Sequence, residues 1–153
     1  MKQLLECVPN FSNGRDPAVY NAIADAIRAV PGTRVLNVSA DPDHNRTVIT
    51  FVGTLDQVSE AAFQAIAVAA RLIDLDHHQG EHPRIGATDV CPFIPIRDAS
   101  IGECVAAAQQ LGRRVGGLVC QKTRPLQRGR QILEPDLLPL GDHHGPLDHV
   151  AQL

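Results

Sequence analysis

The chain has 153 residues, a net charge of −3, and 44% apolar and 20% charged residues. That is the profile of one soluble globular domain with enough chain to bury its own core. Four Phe, one Tyr and no Trp leave few stacking platforms, and without a basic footprint they argue against a nucleic-acid partner.

The cysteines at positions 7, 91, 104 and 120 are widely spaced and form no C-x-x-C pair. Neither a disulfide framework nor a cysteine zinc site is expected, and a reduced, cytoplasmic setting fits best. The opening MKQLLECVPNF meets Glu6 and Pro9 before an apolar run develops, unlike a secretory leader. No apolar stretch approaches the ~20 residues that span a bilayer, so no membrane role is expected.

QLLECV (residues 3–8) reads as a short strand, followed by the turn-rich loop PNFSNGRDP. Asp16-Pro17 supplies a helix N-cap and first position. Val19, Ile23, Ala26, Ile27 and Val30 then recur at helical spacing until Pro31-Gly32. TRVLNVS (33–39) reads as a strand with Val35 and Asn37 on one face and Leu36 and Val38 on the other. After the polar turn ADPDHN, the β-branched run RTVITFVG predicts another strand.

Residues 55–74 form the longest predicted helix, with Val58, Ala62, Ile66, Ala69 and Ile73 as its apolar stripe. TDVCPFIPI (88–96) contains a further strand whose prolines suggest an edge or a terminus. Residues 100–116 form a third helix, with Ser100 and Glu103 as a capping box. The order β-α-β-β-α-β, then α, predicts a ferredoxin-like α+β two-layer sandwich. Its sheet would be mixed or antiparallel, with helices on one face and the other face open to a ligand or partner. From Gly117 onward, four prolines and little sustained period predict an irregular tail. The expected division is therefore a domain over 1–117 and a divergent segment over 118–153.

Chemistry concentrates in DHHQGEHPR (76–84), which holds three of the seven histidines. Three readings stand side by side. His78-Gln79-Gly80-Glu81-His82 fits the H-x-x-E-H zinc pattern, but that pattern needs a helix, which Gly80 and Pro83 disfavour. An acid–base site is the second reading. His82 titrates near neutrality, Glu81 could tune or orient it, and Arg84 could grip a carboxylate. The third is a solvated polar loop that collects such residues because it is wet. Arg46, at the start of a strand, is a candidate anion contact. The loop containing Asn10 and Arg15 could present donors to an anion. The histidine-rich DHHGPLDH (142–149) reads as tail.

Four segments, ECVPNFSNGRD, NRTVITFVG, LIDLDHHQGEHPRIGATDVCPFIPI and ECV…LGRRVG, together resemble the glutamate formiminotransferase family. The likeness is to the N-terminal subdomain of its formiminotransferase domain, across about residues 1–117. It implies transfer of a formimino group from N-formiminoglutamate to tetrahydrofolate, a step of histidine breakdown; some relatives use formylglutamate. It also implies two similar α/β subdomains with substrate held between them. The histidine of the family's G-E-H-P-R motif corresponds to His82, which would take a proton from the attacking folate nitrogen and return one to the departing glutamate nitrogen. Arg84, Arg46, Glu81 and Asn10 are the expected substrate contacts. No metal is expected.

The chain departs from the family pattern in three places. The family's D-V-D reads Asn37-Val38-Ser39, and its strand after Arg114-Val115-Gly116 is replaced by LVCQKTRPLQRG. The C-terminal subdomain and the late folate contacts have no counterpart in the tail, as in a frameshift, an alternative end or a truncated paralogue. A cleft closed from one side loses positioning that can account for ~7–11 kcal/mol of a barrier. The alternative expectation is therefore an inactive folate-binding or dimerisation module. Expected partners are small molecules, with a homodimer or a separate C-terminal subdomain completing the cleft.

Overall fold

Proline placement sets the first feature of the sheet. In the computed structural model, which describes residues 3–77, 79–80 and 85–123 (backbone alone for 119–123), two neighbouring strands are each broken beside a proline. The N-terminal strand is split into β1 (Leu4–Cys7) and β2 (Asn10–Phe11) around Val8-Pro9. The last strand is split into β5 (Thr88–Val90) and β6 (Phe93–Arg97) around Cys91-Pro92. Proline has no N–H to give to a ladder, so the breaks fall where donors are missing. The carbonyls there still work: Pro9 accepts from the Ile49 N–H at 3.1 Å, and Pro92 from the Val8 N–H at 3.4 Å.

The remaining elements are α1 (Pro17–Arg28), β3 (Arg34–Asp41), β4 (Arg46–Gly53), α2 (Leu55–Leu72) and α3 (Ile101–Thr123). The sheet runs β5-β2-β4-β1-β6, with β3 also on β4. Every pairing is antiparallel, which resolves the expected choice between mixed and antiparallel. With each broken strand counted once, the chain follows the expected β-α-β-β-α-β order, and the fold is an α+β two-layer sandwich. The proline-bearing strand sits at the sheet's end, as its prolines suggested. β2 falls inside the stretch expected to be loop, because its neighbours β4 and β5 supply pairing that local sequence does not show.

Residues of β4 alternate strictly between half-buried and buried. The buried set Thr47, Ile49 and Phe51 shares one face with Leu5, Cys7, Phe11 and Phe93. Against it lie Ile23, Ala24 and Ile27 of α1, Val58, Ala62, Ile66 and Ala69 of α2, and Cys104, Ala108 and Leu111 of α3. Four alanines, Ala61, Ala62, Ala65 and Ala69, make up much of the buried face of α2. In β3 the register shifts between Val35 and Asn37. This bulge turns both Val35 and Val38 toward the core and leaves Leu36 54% exposed. The expectation that Val35 and Val38 take opposite faces is thus corrected: an extra residue resets the two-residue period.

Helix starts follow the local signals. The Asp16 carboxylate accepts from the Ala18 N–H at 2.9 Å, with Pro17 opening α1. Glu103 accepts from the Ser100 N–H at 2.8 Å, while Ser100 Oγ accepts from the Glu103 N–H at 3.2 Å. Glu103 also accepts from Gln3 Nε2 at 2.8 Å, which ties the start of α3 to the sheet. Its carboxyl is held below the ordinary value, first by the Ser100 backbone N–H. Arg114 joins α3 to α2 by pairing with Glu60 at 2.6 Å and stacking 3.8 Å over the Phe63 ring. α3 runs past Gly116 to Thr123; the rest of the expected irregular tail, 124–153, lies outside the described residues. Among the described residues no helix is long and apolar enough to cross a membrane.

Phe51→Ala empties the centre of this core and should cost about 3–5 kcal/mol. Urea denaturation monitored by circular dichroism measures that loss.

Candidate functional site

At one end of the sheet four short segments converge: the loop after β2, the β3–β4 turn, residues 79–80 and the chain entering β5. The β3–β4 turn needs a left-handed residue, and Asn45 takes it with a φ of 50°, a conformation asparagine tolerates better than most. The backbone bend turns the amide inward, where Asn45 is only 9% exposed. Its Oδ1 accepts from the Gly14 N–H at 2.9 Å, and its Nδ2 donates to the Gln79 carbonyl at 3.0 Å. One side chain thus joins three segments.

Two glycines permit this closeness. A Cβ on Gly14 would sit 2.3 Å from the Asp41 carbonyl oxygen, and one on Gly80 would sit 2.5 Å from that of His44. Both contacts are with backbone, which cannot swing aside. Arg15 Nε donates to the Pro42 carbonyl at 2.7 Å, and Thr47 Oγ1 to the Asn13 carbonyl at 2.6 Å. These bonds fasten the loop after β2 to the β3–β4 hairpin.

Arg46 opens β4 beside that turn. Its Nε donates to Asn10 Oδ1 at 2.9 Å, and its Nη1 lies 3.1 Å from Asp89 Oδ2. Their side chains are only 16% and 7% exposed, so each charge depends on the other in place of water. The second oxygen of Asp89 accepts from the N–H groups of Ile85 and Gly86, at 3.0 and 3.2 Å. Ser12 completes the join: its Oγ donates to the Gly86 carbonyl at 2.8 Å and its N–H to the Ala87 carbonyl at 3.0 Å.

Of the expected site residues, the structure brings Asn10 and Arg46 into direct contact. His82, Glu81 and Arg84, and His78 of the zinc pattern, lie outside the described residues. The chain on either side of 81–84 is described: Gln79 is held by Asn45, Gly80 lies close against the His44 backbone, and Ile85-Gly86 are held by Asp89 and Ser12. Sequence reasoning missed Asp89 and Ser12, and it took Asn45 for an ordinary turn residue. A carboxylate in the apolar run TDVCPFIPI was the available signal for Asp89, because a charge in a strand that joins a core needs a partner.

Two histidines near this end each sit on the carboxylate three positions earlier. His44 Nδ1 is 2.6 Å from Asp41 Oδ2, and His77 Nδ1 is 2.9 Å from Asp74 Oδ2. The Asp41 carboxyl is held below its ordinary value, first by the His44 backbone N–H and then by the ring. The Asp74 carboxyl is lowered chiefly by its hydrogen bond to the His77 ring. The same bond raises the pKa of His77 above the ordinary histidine value.

Asp89→Ala removes the ion pair to Arg46 and frees two backbone donors. It should cost about 3 kcal/mol, the low end for a broken buried pair because Arg46 keeps some exposure. Amide exchange at Ile85 and Gly86 should accelerate together with the fall in stability. For His77, a raised folded pKa means its stabilising contribution is complete at pH below the ordinary histidine value and fades as pH rises through the raised one. An NMR titration should therefore find the His77 midpoint above the ordinary value, and Asp74→Asn should lower it.

Residues 4–121 match the family described as formiminotransferase domain, N-terminal subdomain. A protein of Thermoplasma acidophilum named glutamate formimidoyltransferase is 53% identical over 113 residues, covering 74% of this chain and 37% of that relative. The formimidoyltransferase-cyclodeaminase of Rattus norvegicus is 53% identical over 115 residues, 75% of this chain and 21% of that protein. The glutamate formimidoyltransferase of Streptococcus pyogenes is 45% identical over 115 residues, 75% and 38% of the two chains. The chain thus spans well under half the length of these curated relatives. With most of the chain matched at such identity, it belongs to the formiminotransferase-domain family, within its N-terminal subdomain.

Proposed function

We propose that this chain supplies the acid–base side of a cytoplasmic, folate-dependent transferase site that moves a formimino group from N-formiminoglutamate to tetrahydrofolate in histidine degradation. The observation that carries the reading is the G-E-H-P-R sequence at 80–84 in a confirmed family member. It is supported by the two anchored stretches of chain that flank it, beside Arg46 and Asn10. Tetrahydrofolate enters as acceptor substrate. Its nitrogen attacks the formimino carbon, a tetrahedral intermediate forms, and the carbon–nitrogen bond to glutamate breaks. His82 takes the proton from the attacking nitrogen and returns one to the departing nitrogen, which suits a group titrating near neutral pH.

Arg84 and Arg46 answer the carboxylates of glutamate or folate, with Glu81 and Asn10 as polar contacts. Arg46 enters this role already oriented by Asp89 and Asn10, which reduces the entropy lost when a ligand binds. A second copy of the chain or a separate C-terminal subdomain closes the cleft from the other side.

A second reading, a folate-binding or dimerisation module without turnover, is favoured by one observation. Asn37 and Ser39 stand on β3 where the family pattern has carboxylates, and both are exposed. Calorimetry with tetrahydrofolate and a turnover assay with N-formiminoglutamate separate the two. Under the first reading His82→Ala retains tetrahydrofolate binding and loses about 10²–10⁴-fold in kcat. Tetrahydrofolate binding by the unaltered chain without any turnover supports the module instead.

A further inference from the structure

Cys7 ends β1, and Cys91 lies in the break between β5 and β6. The registers Cys7↔Phe93 and Asn10↔Val90 bring the two proline breaks to the same level of neighbouring strands. There the two thiols meet, with their sulfurs 3.6 Å apart and both side chains buried. We propose that Cys7 and Cys91 are an oxidative modification site, forming a reversible disulfide when the chain meets hydrogen peroxide.

Geometry favours the bond. A disulfide needs sulfurs about 2.05 Å apart, so the pair must close by only about 1.5 Å. Between the two breaks runs a long Val8 N–H to Pro92 carbonyl bond of 3.4 Å, and neither proline donates to the ladder.

The nearest approach for an oxidant is from one side. A groove of about 280 Å³ between α2, α3 and β5 has Cys91 in its wall, beside Ile66, Val90 and Val115. A peroxide molecule is close to water in size. Cys91, itself only 1% exposed, borders this groove, and in the proposed sequence its sulfur is the one that meets the oxidant. Cys7 is buried as well, and burial pushes its pKa up, with its hydrogen bond to Cys91 adding to the rise.

The chemistry balances in two steps. Cys91 sulfur attacks one peroxide oxygen, the O–O bond breaks, and a sulfenic acid and one water form. Cys7 sulfur then attacks the sulfenic sulfur. The S–O bond breaks, and the departing hydroxide takes the Cys7 proton to leave as a second water. Two thiols are oxidised and one peroxide is reduced to two waters. A low-molecular-weight thiol reverses the reaction by exchange. The cross-link joins positions 84 apart in sequence and fastens β1 to the strand that carries Asp89.

The test adds hydrogen peroxide to the reduced, native full chain and follows it by intact mass and peptide mapping. The expected product has lost two hydrogen atoms, retains no oxygen, contains a linked Cys7–Cys91 peptide and reverts with dithiothreitol. The double variant Cys104→Ser/Cys120→Ser keeps the pair untouched and should give the same product at the same rate. Cys91→Ala should leave Cys7 as a free thiol. A product linked only through Cys104 or Cys120 overturns the proposal. So does Cys91 carrying oxygen without a linkage, or a Cys7–Cys91 linkage that appears only in denaturant.

Discussion

A single carboxylate, Asp89, holds together the end of the sheet where the candidate site lies. Both of its oxygens are committed. One neutralises Arg46 across two strands, and the other receives the backbone N–H groups of Ile85 and Gly86. At 7% side-chain exposure the charge has little water to fall back on, so these partners are required and not decorative. Asp89 thus ties the return of the chain into β5 to Arg46, and Arg46 in turn donates to Asn10, whose Nδ2 also donates to the Val8 carbonyl at 3.1 Å.

Asn45 does the corresponding work on the approach side with a neutral amide. A carboxylate there could accept from Gly14 but could not donate to Gln79, and a residue without a polar side chain could do neither. The glycines at 14 and 80 belong to the same arrangement, because their missing Cβ atoms let three backbones lie nearly in contact. Charge on one side and shape on the other thus fix both flanks of the family's G-E-H-P-R segment. Loops that carry chemistry are commonly held this way, by a rigid scaffold under a short variable span.

The proline breaks give the same sheet a second character. They shorten four strands, interrupt the ladder at one level and leave two thiols facing each other. The resulting junction is buried, and its two proline nitrogens give no donor to the ladder. Phe11, Phe51 and Phe93 there belong to one buried cluster with residues of α2 and α3.

Much of this was legible in order along the chain. Asp16-Pro17 announced α1, Ser100 and Glu103 announced α3, and the stripe from Val58 to Ile73 announced α2, because caps and helical periods are local. The β-α-β-β-α-β order could be read for the same reason. The strand breaks, the bulge that turns Val35 and Val38 to one face, and the two-residue β2 could not. Pairing between distant strands decides them, and a short strand has no signature without its neighbours. Asp89 is the sharpest instance. In sequence it is an acidic residue in an apolar run, and only the fold brings it Arg46 from another strand. The sequence by itself determined the elements and the family motif. Tertiary structure decided which polar residues are buried together, since the cost of burying a charge is met only by a partner that folding delivers.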